Sequence, residues 1–391
     1  SPDGKHVYTA ALLSSAVTAF SRNASTGALT FLAATFDDVN PGPTSPGLTG
    51  AQDLALSPDG KHLYVTARSE DAITTYSRNA TTGLLTFVQT LFDNSGGVNG
   101  LDAAEGVFVS PDGKHVYVAA EEDNAVSVFS RNASTGALTF VEAKVDGLGG
   151  ADGLNNANDL VVSPDGKHLY VTCSIDGFTG TEDWIGAFSR NQVTGALTYV
   201  ERHPNVALGS SIDCYGITND CGIAAHPTDP IIFVTNNWTS AVAEFSRNPV
   251  TGSLTLTDHL CRLGDFNLRI LNALAVSPDG HHFYATNLSA SVVSYSVLDP
   301  IQVWARRQGL ALETLEGNED GDSLINFAEL AFGGHGATAS LQIAPGIPLL
   351  PRPLRQSAEG VDSFAIRYLR RDDIFSQRVR YTVQFSRNPG T

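Results

Sequence analysis

Residues Ala103–Asp146 read AAEGVFVSPDGKHVYVAAEEDNAVSVFSRNASTGALTFVEAKVD, and this stretch decides the fold. It holds four short runs of alternating or β-branched and aromatic residues: AEGVFV, HVYVAA, AVSVFSR and LTFVEAKV. Each run has strand composition, and turn chemistry separates each from the next. Ser110-Pro111-Asp112-Gly113 suits a type I turn, with Pro setting φ at its second position and Gly easing the exit. Asn132 and Gly136 supply the positive φ that folds a third strand back on a fourth. The stretch therefore predicts a four-stranded antiparallel meander.

The same string recurs along the chain. SPDGKH begins at Ser1, Ser57, Ser110 and Ser163, a degenerate HPTDPI stands at His226, and SPDGHH begins at Ser277, at spacings of 56, 53, 53, 63 and 51 residues. Four-stranded units of this period bury their sheet faces only against each other, which predicts an all-β fold, a β-propeller. Three strands precede Ala51, four complete units follow, and three strands run from Leu271 to Ser296. About six blades are thus expected, the first without its inner strand and the last without its outer one. With no methionine in 391 residues, the expectation is a seven-bladed parent truncated at its N-terminus.

Charge divides the chain. Residues 1–300 carry 14 Lys+Arg and 31 Asp+Glu, whereas 301–391 carry 10 and 10, so the whole net charge of −17 sits on the first part. Two domains are expected, a propeller over 1–300 and a small C-terminal module over 301–391. An apolar fraction of 42% with 17% charged residues excludes global disorder. The acidity argues against a nucleic-acid partner, and no apolar run is long enough to span a bilayer.

In each repeat the simplest role of the SPDG aspartate, such as Asp59 or Asp112, is to form the turn. The histidines after it, such as His62 and His115, read as exposed strand residues. Recurrence of the repeat explains most of the Asn-x-Ser/Thr sequons, at Asn23, Asn79, Asn132, Asn237 and Asn287, without glycans. Alternation on the inner strands puts Leu54 and Leu56, Val107 and Val109, and Leu160 and Val162 on a packing face. It leaves Gln52, Glu105, Asn158 and Asn272 at the channel-side strand starts, where they either solvate the channel mouth or hold a ligand. The Asp-, Gly- and Asn-rich loops before the inner strands open on that same face. They form either an electronegative rim suited to Ca²⁺ or a cationic or hydroxylated ligand, or plain surface loops.

The repeats SPDGKHLYVT, AVSVFSRNASTGALTFVE and AQDLALSPDG resemble the lactonase, or 6-phosphogluconolactonase-like, seven-bladed propellers and their YVTN-repeat relatives, over about residues 1–298. That resemblance implies chemistry at the channel mouth, using acids four residues before the Ser of SPDG. Asp53 and Asp159 match that position and Glu105 lies one residue off it, so these three are the catalytic candidates. Where the family carries an Arg-His pair before an HP turn, this chain has Cys221 and Gly222. Without that pair, an oxyanion formed during lactone hydrolysis has no evident stabiliser. The expectation is a secreted propeller that binds a ligand or partner through its loop face. The alternatives are a sugar-lactone hydrolase and an envelope structural protein. A sugar, a lactone, or a protein or glycan at the loop face is the expected partner, and the chain is expected to be a monomer.

Four cysteines allow three pairings, of which Cys214 with Cys221 is the easiest local one and suits an exported protein; free thiols are the alternative. In the C-terminal module, Asn318–Glu329 reads NEDGDSLINFAE. It places oxygen ligands at loop positions 1, 3, 5, 9 and 12, namely Asn318, Asp320, Asp322, Asn326 and Glu329, with the Leu324 carbonyl at position 7. This is the spacing of a twelve-residue calcium loop. It resembles dockerin and related EF-hand-like loops, departing at position 1 and at Ser323, where Gly is usual. Ca²⁺ is the expected cofactor, with no organic cofactor.

Overall fold

The computed structural model describes residues 1–37, 44–173, 184–204, 222–236, 241–260, 271–280, 282–287 and 291–296, with three further strands at 352–358, 361–367 and 380–384. Every regular element among them is a β-strand. The chain forms two compact units, Ser1–Val297 and Leu298–Thr391. No helix among the described residues is long and apolar enough to cross a membrane.

The first unit is a series of antiparallel blades. Blade 1 holds β1 (His6–Ala11), β2 (Ala16–Arg22) and β3 (Leu29–Asp37), with a two-residue β4 (Thr44–Ser45) added parallel to β3. Blade 2 runs β5 (Ala51–Leu56), β6 (His62–Ala67), β7 (Ala72–Arg78) and β8 (Leu85–Phe92), and blade 3 runs β9 (Ala104–Val109), β10 (His115–Ala120), β11 (Ala125–Arg131) and β12 (Leu138–Val145). Blade 4 comprises β13 (Ala157–Val162), β14 (His168–Cys173), β15 (Trp184–Arg190) and β16 (Leu197–Pro204). Blade 5 comprises β17 (Ile223–Ala225), β18 (Ile231–Asn236), β19 (Ala241–Arg247) and β20 (Leu254–Leu260). Blade 6 has three strands, β21 (Leu271–Val276), β22 (His282–Asn287) and β23 (Ser291–Ser296). The inner strands β5, β9, β13, β17 and β21 neighbour one another in that order. The second unit contains an antiparallel sheet of β24 (Arg352–Ala358), β25 (Val361–Arg367) and β26 (Arg380–Gln384).

Blades 2–5 bury both faces, since the core is a set of layers between blades rather than a single centre, whereas blade 6 buries Phe283 and Ala285 on one face and leaves Tyr284 exposed on the other. Leu160 and Val162 of β13 pack with Tyr117 and Val128 of blade 3, whereas Val161 between them packs with Ile232 and Phe245 of blade 5. A strand whose successive side chains all enter cores reads as a continuous apolar run, as LVV does here.

The repeated motif owes its persistence to a tether between blades. Arg131, at the end of β11, reaches back to blade 2 with a side chain only 2% exposed. Its Nη2 donates to both Asp59 carboxylate oxygens at 3.0 Å and lies 2.7 Å from His62 Nδ1, while Nε donates to the Tyr64 hydroxyl at 2.8 Å. Nη1 donates to the Gly113 carbonyl at 2.9 Å, and the Tyr64 hydroxyl passes on to the Gly136 carbonyl at 3.0 Å. Arg78 grips Asp3, His6 and Tyr8 in the same way, Arg190 grips Asp112, His115 and Tyr117, and Arg247 grips Asp165 and His168. The SPDG aspartates do form their turns, each accepting from its serine hydroxyl, as Asp59 does from Ser57 at 2.5 Å. They are also one end of a charged bridge between blades.

This overturns the reading of His62 and His115 as exposed. Both are 3% exposed, and His62 lies against Gly136 of blade 3, where a Cβ would meet the imidazole Cδ2 at 2.3 Å. Burial, and then the Arg131 charge, hold His62 below its ordinary pKa, so the neutral ring can accept at Nδ1. The sequon asparagines Asn23, Asn79 and Asn132 fold their Oδ1 onto backbone amides two and three residues on. Asn191 and Asn248 do the same without a sequon, so this bonding accounts for the asparagine, and the positive φ expected of both Asn132 and Gly136 is found at Gly136 and not at Asn132.

Candidate functional site

In an antiparallel meander, the start of the inner strand and the end of the second strand share one side of the blade. The catalytic candidates lie there, and a local irregularity positions them. In blades 2, 3, 4 and 6 the pairing of the inner strand shifts register within its first residues, for example between Ala51 and Leu54 and between Ala157 and Leu160. Such a bulge inserts one unpaired residue and re-aims its neighbours. The freed amide is caught by a threonine 13 residues on. Asp53 N donates to Thr66 Oγ1 at 3.1 Å, Asp159 N to Thr172 Oγ1 at 3.2 Å, and Gly222 N to Thr235 Oγ1 at 2.8 Å. The Thr of each YVT triplet is thus part of the bulge, while Thr235 of the FVT triplet catches the corresponding amide in blade 5, where the pairing shows no shift.

Two of the three carboxylates spend their oxygens on backbone. Asp53 accepts from its neighbour Leu54 N at 2.7 Å and, across to blade 3, from Val107 N at 2.9 Å. Asp159 repeats this with Leu160 N at 2.7 Å and Ile223 N of blade 5 at 3.1 Å. Each aspartate stitches its own inner strand to the next. Between them stands Gly106, where a Cβ would lie 2.7 Å from Asn158 O and 3.0 Å from the Asp159 Cα. Protein packs densely around both carboxyls although part of each residue's surface stays open. Burial pushes the Asp53 carboxyl up, and burial together with the Asp53 charge pushes Asp159 up.

Glu105 has different company. It is 5% exposed, and Gln52 Nε2 donates to its Oε2 at 2.6 Å. Its Oε1 pairs with Arg68 Nε, and Arg68 also pairs with Glu121 through Nη2 and, at 3.2 Å, through Nε. Burial raises Glu105 to about 7, with Arg68 opposing the rise and Glu121 adding to it. The Arg68 side chain is 40% exposed, and its Nη1 has no partner among the described residues. A buried carboxylate titrating near neutrality beside a half-open guanidinium can exchange a proton with a ligand and bind a developing negative oxygen in one place.

Arg68 went unnoticed in the sequence, which has neither Arg nor His beside the inner-strand acids. It follows the end of β6 in one blade and meets Glu105 at the start of β9 in the next. Its only local signal is a lone base in the ARSED loop. Gln52 is exposed and joins this cluster through Glu105; Asn158 is half-buried on β13. Asn272 has only its backbone described, on β21, while Cys214, Cys221 and the loop from Asn318 to Glu329 lie outside the described residues. Cys173 is a buried thiol donating to the Gly153 carbonyl at 3.0 Å. No group of three or more metal-ligating side chains occurs among the described residues.

Residues 1–148 and 105–209 match a family model described as lactonase, 7-bladed beta-propeller. A 6-phosphogluconolactonase of Cronobacter sakazakii is 22% identical over 250 residues, 62% of this chain and 65% of that protein, so the chain spans just under two thirds of that relative's length. Among solved structures, a candidate 6-phosphogluconolactonase from Bacteroides uniformis superposes with a TM-score of 0.58 at 16% identity, covering 77% of this chain and 80% of that one. The periplasmic gluconolactonase of Pseudomonas aeruginosa gives 0.51 at 19% identity, covering 66% and 68%. At such identities the structural likeness speaks for the fold alone.

Proposed function

Since the chain belongs to the family of seven-bladed β-propeller lactonases, we propose that it binds a hydroxylated lactone at the Glu105–Arg68 cluster and hydrolyses it. The observation that carries this reading is the pairing of a buried Glu105, raised to about 7, with a guanidinium that keeps one edge open. In the ionised form Glu105 takes a proton from water as the water oxygen attacks the lactone carbonyl carbon. The carbonyl oxygen becomes an oxyanion, and Arg68 Nη1 supplies the donor for it. Collapse of the adduct breaks the bond from the carbonyl carbon to the ring oxygen, which takes the proton back from Glu105. The hydroxy acid then loses its own proton to solvent. Gln52, donating to Glu105, fixes the carboxylate's orientation, while Asp53 and Asp159 hold the strand starts in place.

General-base catalysis contributes typically ~10²–10⁴-fold. Acid release from glucono-δ-lactone, corrected for spontaneous hydrolysis, is therefore expected to fall by at least ~10²-fold in kcat for Glu105→Gln. Wild-type kcat is expected to rise with pH through about 7, where Glu105 ionises. Equal turnover by wild type and Glu105→Gln refutes the assignment.

A ligand-binding propeller without turnover is the second reading. It is favoured by the full commitment of Asp53 and Asp159 to backbone amides. Saturable lactone binding with no acid release above background would establish it instead.

A further inference from the structure

We infer that the ligand taken by this site is an uncharged lactone, carrying no phosphate group. The inference rests on the lactone reading above and concerns the charge of the substrate. Its first support is the state of Arg68. Among the described residues the one guanidinium at the cluster is held between Glu105 and Glu121, so guanidinium and partners together carry net negative charge whenever Glu105 is ionised. A phosphate monoester brings about −1.5 to −2 charge at neutral pH and would have to displace those carboxylates to gain a cation.

The second support is the fixed field around it. The described loops on this side of blades 2–4 are residues 68–71, 93–103, 121–124 and 146–156. They hold nine carboxylates against the single base Arg68, and one of the nine, Asp152, is paired at 3.0 Å with Arg202 of β16. Four of these carboxylates cannot turn away, because they anchor the loops themselves. Asp71 accepts from Ala103 N at 2.9 Å, Asp93 from Leu101 N at 3.0 Å, Asp123 from Asp102 N at 2.9 Å and Asp146 from Leu154 N at 2.8 Å. The crowding is felt within the group: burial, then Asp71 and Asp123, push the Asp102 carboxyl up. A neutral lactone enters this field without penalty, whereas the aldonate anion made from it is repelled and leaves. The same electrostatics thus select the substrate and discharge the product.

The test compares glucono-δ-lactone with its 6-phosphate on the full chain. At low ionic strength kcat/KM is expected to favour the uncharged lactone at least ~10-fold. That preference should shrink as salt shortens the Debye length from about 30 Å at 0.01 M to about 3 Å at 1 M. Glu122→Lys, at an exposed position of the rim, should narrow the preference while leaving glucono-δ-lactone turnover unchanged. Equal or better use of the phosphorylated lactone at low salt overturns the inference. Calorimetry with the non-hydrolysable glucono-δ-lactam and its 6-phosphate separates this from the hydrolytic reading. Preferential binding of the uncharged lactam without lactone turnover keeps the charge inference and ends the catalytic one. Tighter binding of the phosphate form, or binding of neither, removes the inference whatever the turnover.

Discussion

Replacing Arg131 by Met tests whether the blades are held by the buried tether or by apolar contact alone. Met keeps most of the stem volume and deletes the guanidinium. Two acceptors, the buried His62 Nδ1 and the half-buried Gly113 carbonyl, then lose their donor, at about 1–3 kcal/mol each. Asp59 is a third exposed and regains water, so its loss is discounted. Tyr64 keeps its bond to the Gly136 carbonyl. The sum is about 2–6 kcal/mol. The control is internal to the repeat. Arg22 occupies the same position in blade 1, is exposed, and donates to the Gly4 carbonyl at 3.1 Å. Arg22→Met should therefore cost within about 0.5 kcal/mol. Guanidinium denaturation followed by tryptophan and tyrosine fluorescence should place the Arg131→Met midpoint well below wild type and that of Arg22→Met on top of it. Equal losses in the two variants, or none in Arg131→Met, would refute the tether as a source of stability.

Three further outcomes are expected. Asp53, Asp159 and Glu105 all have folded-state pKa values above their ordinary ones, so the folded chain keeps protons that the unfolded chain releases. Stability should then fall as pH rises from about 4 to about 7, by on the order of a few kcal/mol in all. Below that window the sign reverses. For Asp59, burial is outweighed by the Ser57 and Arg131 hydrogen bonds, which bring its carboxyl down to about 2, and Asp112 and Asp165 are lowered likewise. Stability is lost as these protonate, and denaturation midpoints measured from pH 3 to 9 should peak near pH 4–5; a steady rise from 5 to 8 would contradict the assignments. Gly106→Ala should cost roughly 1–3 kcal/mol by thermal denaturation, because its Cβ meets the backbone of β13, which must shift. For the C-terminal segment, Ca²⁺ is expected to bind one site per chain by calorimetry, and Asp322→Ala, at position 5 of the loop, to abolish it; unchanged binding in that variant rejects the loop.

The four-stranded units and their turns were legible because each is local. A Pro-Asp-Gly turn and an Asn-Gly hairpin act within a few residues, and strand alternation needs no partner to be read. The positions of Asp53, Glu105 and Asp159 at the inner-strand starts were legible for the same reason. What those carboxylates do was not. Asp53 meets Val107, 54 residues on, and Asp159 meets Ile223, 64 residues on, so the use of their oxygens depends on how one blade lies against the next.

By itself the sequence determined the repeat, the strand order and the uneven charge, since all three depend on short-range chemistry and composition. Tertiary structure alone decided that His62 is buried, that the SPDG aspartates bridge blades, and that Arg68 stands beside Glu105. Each of these is a contact between neighbouring blades. A sheet buried on both faces takes much of its side-chain environment from residues a full repeat away, and no pattern within one repeat encodes which of them will meet.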